Sequence, residues 1–450
     1  MLLAGGGIAA QQAVERLLPR GDLTAEGLIV DGVAVGRGRP LRPLIEGQAA
    51  QRLAHRITVR HQDQALISAT VAELGGTCDS HQAVVAVAAV GRAGSIWQRF
   101  DDALQARRGA LAVSLPCEVP VAELAKRLAA FKLAHDRKPR PARWDFTANA
   151  PTDHEDGLLV DVHATLVAVD EAAHSGKHEV DVVVRRLTPA ATRDVVAQSD
   201  KSEVISKYST RFADFGRHVG RSKNVYRAAS GIDGLVLMPR QIVSFNALVG
   251  PRSIKNGFAE AGEIYKGEMR KGIGGGTCQV ASTFHASAYL GGLQVVERSP
   301  HSRPSGYIPI GLDATVSYPH VDLKLQNSLS FPVIVHAVAD KGTLTMELLG
   351  RQKVVSVEFK SATVGIKPYK RKIKQAHWLQ PGRVIHKQKG IRGITVRKIR
   401  KLRFIDGTDR LEETEDIYPP TNEIYIISPD VDVDEKLPPL PPDIKNATGA

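Results

Sequence analysis

Lys271–Leu293 reads KGIGGGTCQVASTFHASAYLGGL. Three consecutive glycines, Gly274, Gly275 and Gly276, precede Thr277 and Cys278, and an apolar run follows. Glycine populates backbone conformations that other residues avoid, and threonine is a favourable helix N-cap. Val280, Phe284 and Ala288 recur at i, i+4 and i+8 on one helical face, and Gly291-Gly292 supplies a stop. The pattern predicts a tight turn opening a helix capped by Thr277, with Cys278 in its first turn. Unpaired N–H groups and the helix dipole favour a thiolate there.

A thiolate nucleophile needs a histidine. His285 lies two turns further along the helix, roughly 10 Å of rise away, which is too far for contact. His301 and then Asp313 follow in the chain. Cysteine, histidine and acid in that order are the order of papain-like and transglutaminase-like enzymes, although one geometry recurs on unrelated folds in several orders. The expected roles are Cys278 as nucleophile, His301 as general base and Asp313 as orienting group. Backbone N–H groups near Cys278, with Gln279, would hold the oxyanion. The competing reading is a small buried cysteine beneath a close approach of backbones. Zinc is not expected, because Cys278 with His285, His301 or His320 lacks ligand spacing. GIGGGTCQ lacks the GK[ST] ending of a phosphate loop. No cofactor is expected.

The chain has 450 residues, which exceeds one compact core and implies several domains. Its 43% apolar and 24% charged residues are a globular composition. A net charge of +12 suggests a polyanionic neighbour: nucleic acid, an anionic membrane surface or an acidic wall polymer. No helix-turn-helix, zinc finger or aromatic RNA motif supports nucleic acid. Three cysteines make no disulfide framework; if the chain is exported, Cys78 and Cys117 could pair and leave Cys278 free.

Further motifs appear in order along the chain: STRF (Ser209–Phe212), SFNALVGPRS (Ser244–Ser253), GFAEAGEI (Gly257–Ile264), GGGTCQVAST (Gly274–Thr283), ERSPHSRP (Glu297–Pro304), IPIGLDATV (Ile308–Val316) and DLKLQNSLSFPVIV (Asp322–Val335). Together they resemble the VanW family over about 204–350. The family segment commonly reads GGGVCQVSTT, so Thr277 is a departure. Residues 27–200 resemble the peptidoglycan-binding domain that often precedes such modules. The resemblance implies an extracytoplasmic bacterial envelope protein, usually anchored or exported, that binds or acts on peptidoglycan. It raises Cys278 and His301 as a functional pair, for an amidase- or transpeptidase-type site. The alternative is a non-catalytic wall-binding or scaffolding protein. Arg252 could take a carboxylate of a stem peptide by a bidentate contact. Residues 274–277, His320 and Asp322 could line the substrate.

The expected architecture is multidomain α+β. Residues 1–20 would be the remnant of a signal or membrane anchor, shorter than the roughly 20 apolar residues of a span. Residues 21–203 form an α+β peptidoglycan-binding-like domain, and 204–350 an α+β VanW domain. Residues 351–428 form a basic β-rich module, and 429–450 an acidic, proline-rich disordered tail. Between Arg351 and Arg403 stand seventeen Lys/Arg and one acid, Glu358, a run suited to an anionic polymer or membrane surface.

Overall fold

The computed structural model describes residues 17–36, 39–265 and 268–447. The anchor remnant expected over 1–20 therefore falls almost wholly outside the described residues. Among those described, no helix is long and apolar enough to cross a membrane. Helices and strands mix up to residue 290 and strands dominate after it, which makes an α+β chain. Two compact units result: Met1–Pro139 with Asp156–Leu187, and Arg140–Glu155 with Thr188–Ala450.

The principal elements of the first unit are β1 (Arg56–His61), β2 (Gln64–Thr70), α1 (Val121–His135), β3 (Gly157–Val160), α2 (Val162–Ser175), β4 (Glu179–Asp181) and β5 (Val184–Leu187). β1 and β2 form an antiparallel hairpin, and β4 joins β1 in parallel. Alternation sends Ile57, Val59, Ile67 and Ala69 to one face, where Leu124 and Leu128 of α1 and Val169 and Ala172 of α2 cover them. Asp161 caps α2, its carboxylate accepting the Ala164 N–H at 3.0 Å. β3 pairs antiparallel with β5. Cys78 and Cys117 are joined as a disulfide, and Cys278 is free.

The second unit contains β6 (Glu203–Arg211), α3 (Val219–Ile232), β7 (Val236–Leu237), α4 (Phe245–Val249), β8 (Glu260–Tyr265), β9 (Glu268–Ile273) and α5 (Thr277–Leu290). It continues with β10 (Val333–Asp340), β11 (Thr343–Gly350), β12 (Val355–Lys367), β13 (Lys370–Gln375), β14 (Gly393–Phe404), β15 (Asp409–Tyr418), β16 (Glu423–Ile427), α6 (Val433–Lys436) and β17 (Lys445–Asn446). An antiparallel sheet runs β6-β11-β10-β7. Its β10–β11 hairpin turns at Lys341-Gly342, both at positive φ. Val280, Phe284 and Ala288 of α5 share a core with Leu344, Met346 and Leu348 of β11. α5 is buried nearly all round, so its polar residues find partners: Thr283 Oγ1 lies 2.8 Å from Thr210 Oγ1, and Ser287 Oγ donates to Met346 O at 3.2 Å.

The basic run does not present the bare cationic face that its composition suggests. β12, β14 and β15 form one antiparallel sheet, and β15 carries five acids opposite β14. Arg397 pairs with Glu413 at 3.2 Å, Arg400 with Glu412 at 3.0 Å and Lys401 with Asp409 at 3.2 Å. The two exposed pairs, Arg397–Glu413 and Lys401–Asp409, contribute about 0–1 kcal/mol each to stability, whereas Arg400 is buried. Strand pairing thus offsets part of the run's charge. The tail is also ordered where disorder was expected. β17 adds to β13 in parallel, Leu437 and Ile444 are buried, and the buried Arg371 donates to Pro438 O at 2.7 Å. Apolar anchors and a buried cation hold a segment whose prolines and acids alone suggest none.

Candidate active site

The glycine triplet forms where β9 turns into α5. Gly274 and Gly276 have φ of +94° and +109°, a region that disfavours residues with a Cβ. Gly275 is needed for a different reason: a Cβ there would lie 2.5 Å from Gly262 O in β8. The fully buried Asn224 of α3 clamps the crossing. Its Nδ2 donates to Ala259 O and Gly275 O, each at 2.9 Å, and its Oδ1 accepts the Ala259 N–H at 2.7 Å. Gly276, not Thr277, holds the N-cap position. Thr277 is the first helical residue, and its hydroxyl turns back to Gly274 O at 2.6 Å. The three glycines let β9 and α5 approach closely and hold Cys278 in one place. Gly275→Ala is expected to lower stability by roughly 2–4 kcal/mol, because its only nearby partner is rigid backbone; a denaturant titration measures this.

Cys278 is half-buried in the first turn of α5. Its Sγ lies against the backbone of Val316, 3.4 Å from the carbonyl oxygen and 3.5 Å from the nitrogen. The His301 imidazole is near enough to the thiol to act on its ionisation. His301 Nδ1 is 2.7 Å from Asp313 Oδ2, and that oxygen also accepts the His301 backbone N–H at 2.8 Å. With Nδ1 committed, Nε2 is the nitrogen that serves the sulfur. The Tyr307 hydroxyl stands 3.4 Å from it. The structure thus brings Cys278, His301 and Asp313 into one neighbourhood, with His301 and Asp313 in direct contact.

The electrostatics follow from these contacts. Burial pushes the Cys278 thiol up, but the His301 hydrogen bond and charge, the Val316 backbone and the Arg252 charge outweigh it and leave the thiol below its ordinary value. Burial pushes His301 down, while Asp313 and Cys278 raise it to about 9. Burial would also raise Asp313, but His301, Arg298 and Tyr418 hold it well below the usual carboxylate range. These influences favour a thiolate and an imidazolium over a carboxylate.

Four supporting residues carried no signal that the sequence reading used. Arg298 Nη2 meets Asp313 Oδ1 at 2.8 Å, and its Nη1 meets Asp416 Oδ2 at 2.6 Å. Lys398 also meets Asp416, at 2.9 Å. Tyr418, at the end of β15, donates to Asp313 Oδ1 at 2.5 Å and accepts the Gly311 N–H at 2.9 Å. Arg298 stands inside the ERSPHSRP motif and could have been suspected there. Tyr418, Asp416 and Lys398 lie about a hundred residues further along and reach the acid only through the fold.

The other expected residues divide. Gln279 does not face the sulfur. Its Nε2 donates to Thr210 Oγ1 at 3.1 Å and Arg211 O at 2.9 Å, and its Oε1 accepts from Arg221 at 2.9 Å. Both N–H groups are spent on β6, so the side chain is not an oxyanion donor. The Cys278 N–H, second in the helix, has no intrahelical acceptor and fits that role better. Asp322 anchors α4, accepting from Ser244 Oγ at 2.5 Å, Asn246 N at 2.9 Å and Leu323 N at 2.8 Å. His320 is exposed on the neighbouring turn and takes part in none of these hydrogen bonds. His285 is buried against Leu312 O at 2.8 Å, and burial lowers it to about 3, so it stays neutral. Arg252 does approach. Its Cβ and Cγ would meet a Cβ on Gly274, and its guanidinium is close enough to Cys278 for their charges to act on each other. Nη1 donates to Gly250 O at 2.7 Å, while the buried Nη2 has no hydrogen-bond partner. Among the described residues no group of histidine, cysteine and acids could hold a metal ion.

Residues 220–349 match the family model described as VanW like protein, and residues 67–181 match the one described as "Putative peptidoglycan binding domain". A curated relative, the uncharacterized protein YoaR of Bacillus subtilis (strain 168), is 34% identical over 173 residues. The match spans 38% of this chain and 56% of that relative, so the chain spans about half the length of the protein it resembles. The chain carries a VanW-like domain that follows a peptidoglycan-binding-type domain.

Proposed function

We propose that this wall-related chain, with its VanW-like and peptidoglycan-binding-type domains, binds peptidoglycan outside the cytoplasm and cleaves or transfers an amide bond of its stem peptides through Cys278. The observation that carries the reading is the His301–Asp313 pair standing within electrostatic reach of Cys278 at a helix start. Buried cysteines that merely pack need no imidazolium, and an imidazole that merely packs needs no carboxylate. The Cys78–Cys117 disulfide supports an oxidising compartment.

The thiolate of Cys278 attacks the amide carbon, and the electron pair of the carbonyl moves to its oxygen. The Cys278 N–H faces that oxyanion. The C–N bond then breaks, and the proton on His301 Nε2 passes to the departing amine, leaving a thioester. A water or an acceptor amine attacks the thioester, gives its proton to His301 Nε2 and releases the thiolate. Water makes the reaction a hydrolysis; an amine makes it a transpeptidation. Asp313 keeps the imidazole in one orientation throughout. Arg252, with its unsatisfied Nη2 beside the thiol, offers a site for a substrate carboxylate.

Purified sacculi incubated with the parent and with Cys278→Ser test the reading. New amine and carboxyl ends, or new cross-links, are expected with the parent alone, while both proteins sediment with the sacculi. If neither protein changes the wall and both bind it, the chain is a binding or scaffolding protein and Cys278 a packing residue.

A further inference from the structure

A recess of about 630 Å³ lies wholly within the first unit, and none of the residues discussed above as catalytic lines it. Its floor is apolar, formed by Leu158 and Val160 of β3. Its wall is a small array of rings. His135, at the end of α1, stacks on Phe131 with centroids 3.8 Å apart, and His61, at the end of β1, meets Phe131 edge-on at 5.2 Å and His135 at 5.9 Å. His135 Nδ1 is tied to Phe131 O at 2.9 Å, which leaves Nε2 available. Among the described residues no hydrogen bond or ion pair occupies the ring nitrogens of His61, the guanidinium of Arg137 or the carboxylate of Asp63, all of which line the recess. The β1–β2 turn that brings His61 and Asp63 there runs through Gln62 at a φ of +53°, a conformation uncommon for a residue with a side chain.

Apolar side chains, flat rings and polar groups line one recess, a combination that suits a ligand. The ring faces suit the apolar face of a sugar, Arg137 suits a carboxylate in a fork, and Asp63 can accept from an amide N–H or hydroxyl. We propose that the first unit holds peptidoglycan here, as an acidic muropeptide: the N-acetylated sugar lies on the rings of His61 and His135, and a peptide carboxylate lies on Arg137. This rests on the reading of 67–181 as a peptidoglycan-binding domain and assigns that binding a place.

The test titrates a soluble disaccharide-peptide from muramidase-digested sacculi into full-length protein, in a Cys278→Ser background so that the ligand is not consumed. Arg137→Gln and the double variant His61→Ala with His135→Ala are compared with that parent by calorimetry. Arg137 is exposed, so its variant is expected to melt like the parent. Each is expected to weaken binding about tenfold or more, a loss of one charge-assisted contact or one stacking face. A ligand with amidated carboxyl groups should bind the parent weakly and be indifferent to Arg137→Gln. If the parent binds and the folded Arg137→Gln variant binds equally well, the site is elsewhere and wall binding survives. If the parent binds neither ligand nor sacculi, the wall-binding reading falls, and this assignment falls with it.

Discussion

His301→Ala is expected to slow alkylation of native Cys278 at pH 7 by about a hundredfold. In the parent the imidazole stays protonated to about pH 9 and holds the thiol below its ordinary value. Without it, burial, already the largest influence, is opposed only by the Val316 backbone and the Arg252 charge, and the thiol moves up. A thiol above its ordinary value has about 1% thiolate or less at neutral pH, and the thiolate is the reacting species. The two pH profiles must therefore differ in shape. The parent rate should rise at lower pH than the variant rate, and the variant rate should climb into alkaline pH and approach the parent there. Cys278→Ser, with the disulfide between Cys78 and Cys117 intact, should take up no label. Equal rates for parent and variant at pH 7 would remove the ion pair from the account.

Asp313→Ala is expected to cost about 3–5 kcal/mol of stability, the usual penalty for breaking a buried ion pair on one side. Asp313 accepts from His301 twice, from Arg298 and from Tyr418. Its loss leaves Arg298 and Lys398 sharing Asp416 alone. Asp313→Asn keeps the shape and should cost less, yet it should still lower His301 and so reduce thiolate at pH 7. The pH dependence has a definite sign. The folded pKa of Asp313 lies below its ordinary 3.8, so the stability it contributes is complete above about pH 4 and is lost only as the pH falls further. Urea titrations at pH 7 and at pH 3 check this: the gap between parent and Asp313→Asn should narrow at the lower pH. Tyr418→Phe removes one donor from the same carboxylate. It should leave the protein folded at pH 7 while moving the alkylation profile of Cys278 part of the way toward that of His301→Ala.

Cys278, His301 and Asp313 were legible because all three lie within forty residues, in short motifs whose glycine, proline and polar residues mark a turn, a strand end and a loop. Gln279 was misjudged for a geometric reason. One step along a helix rotates a side chain by about 100°, so a residue next to a thiol in sequence faces a different wall, here β6. Thr277 could cap by type, but Gly276 with its positive φ already stood at the boundary. The basic run between Arg351 and Arg403 is less bare than its count suggests. Several of its partner acids sit on β15, beyond the counted window, and strand pairing brings them opposite. The same long reach hid Tyr418. Charge and site composition are properties of neighbouring strands, which a linear count does not see.

The account stands most directly on whether Cys278 carries an acyl group during turnover. Parent protein is mixed with a soluble stem-peptide muropeptide, quenched in acid within the first turnovers and weighed intact, and the modified residue is located by peptide mapping. The account predicts an added mass equal to the acyl half of the cleaved peptide, on Cys278, released by hydroxylamine as a thioester must be and absent from Cys278→Ser and His301→Ala. New amine ends appearing in solution with Cys278 never modified, or equally in Cys278→Ser, would contradict it.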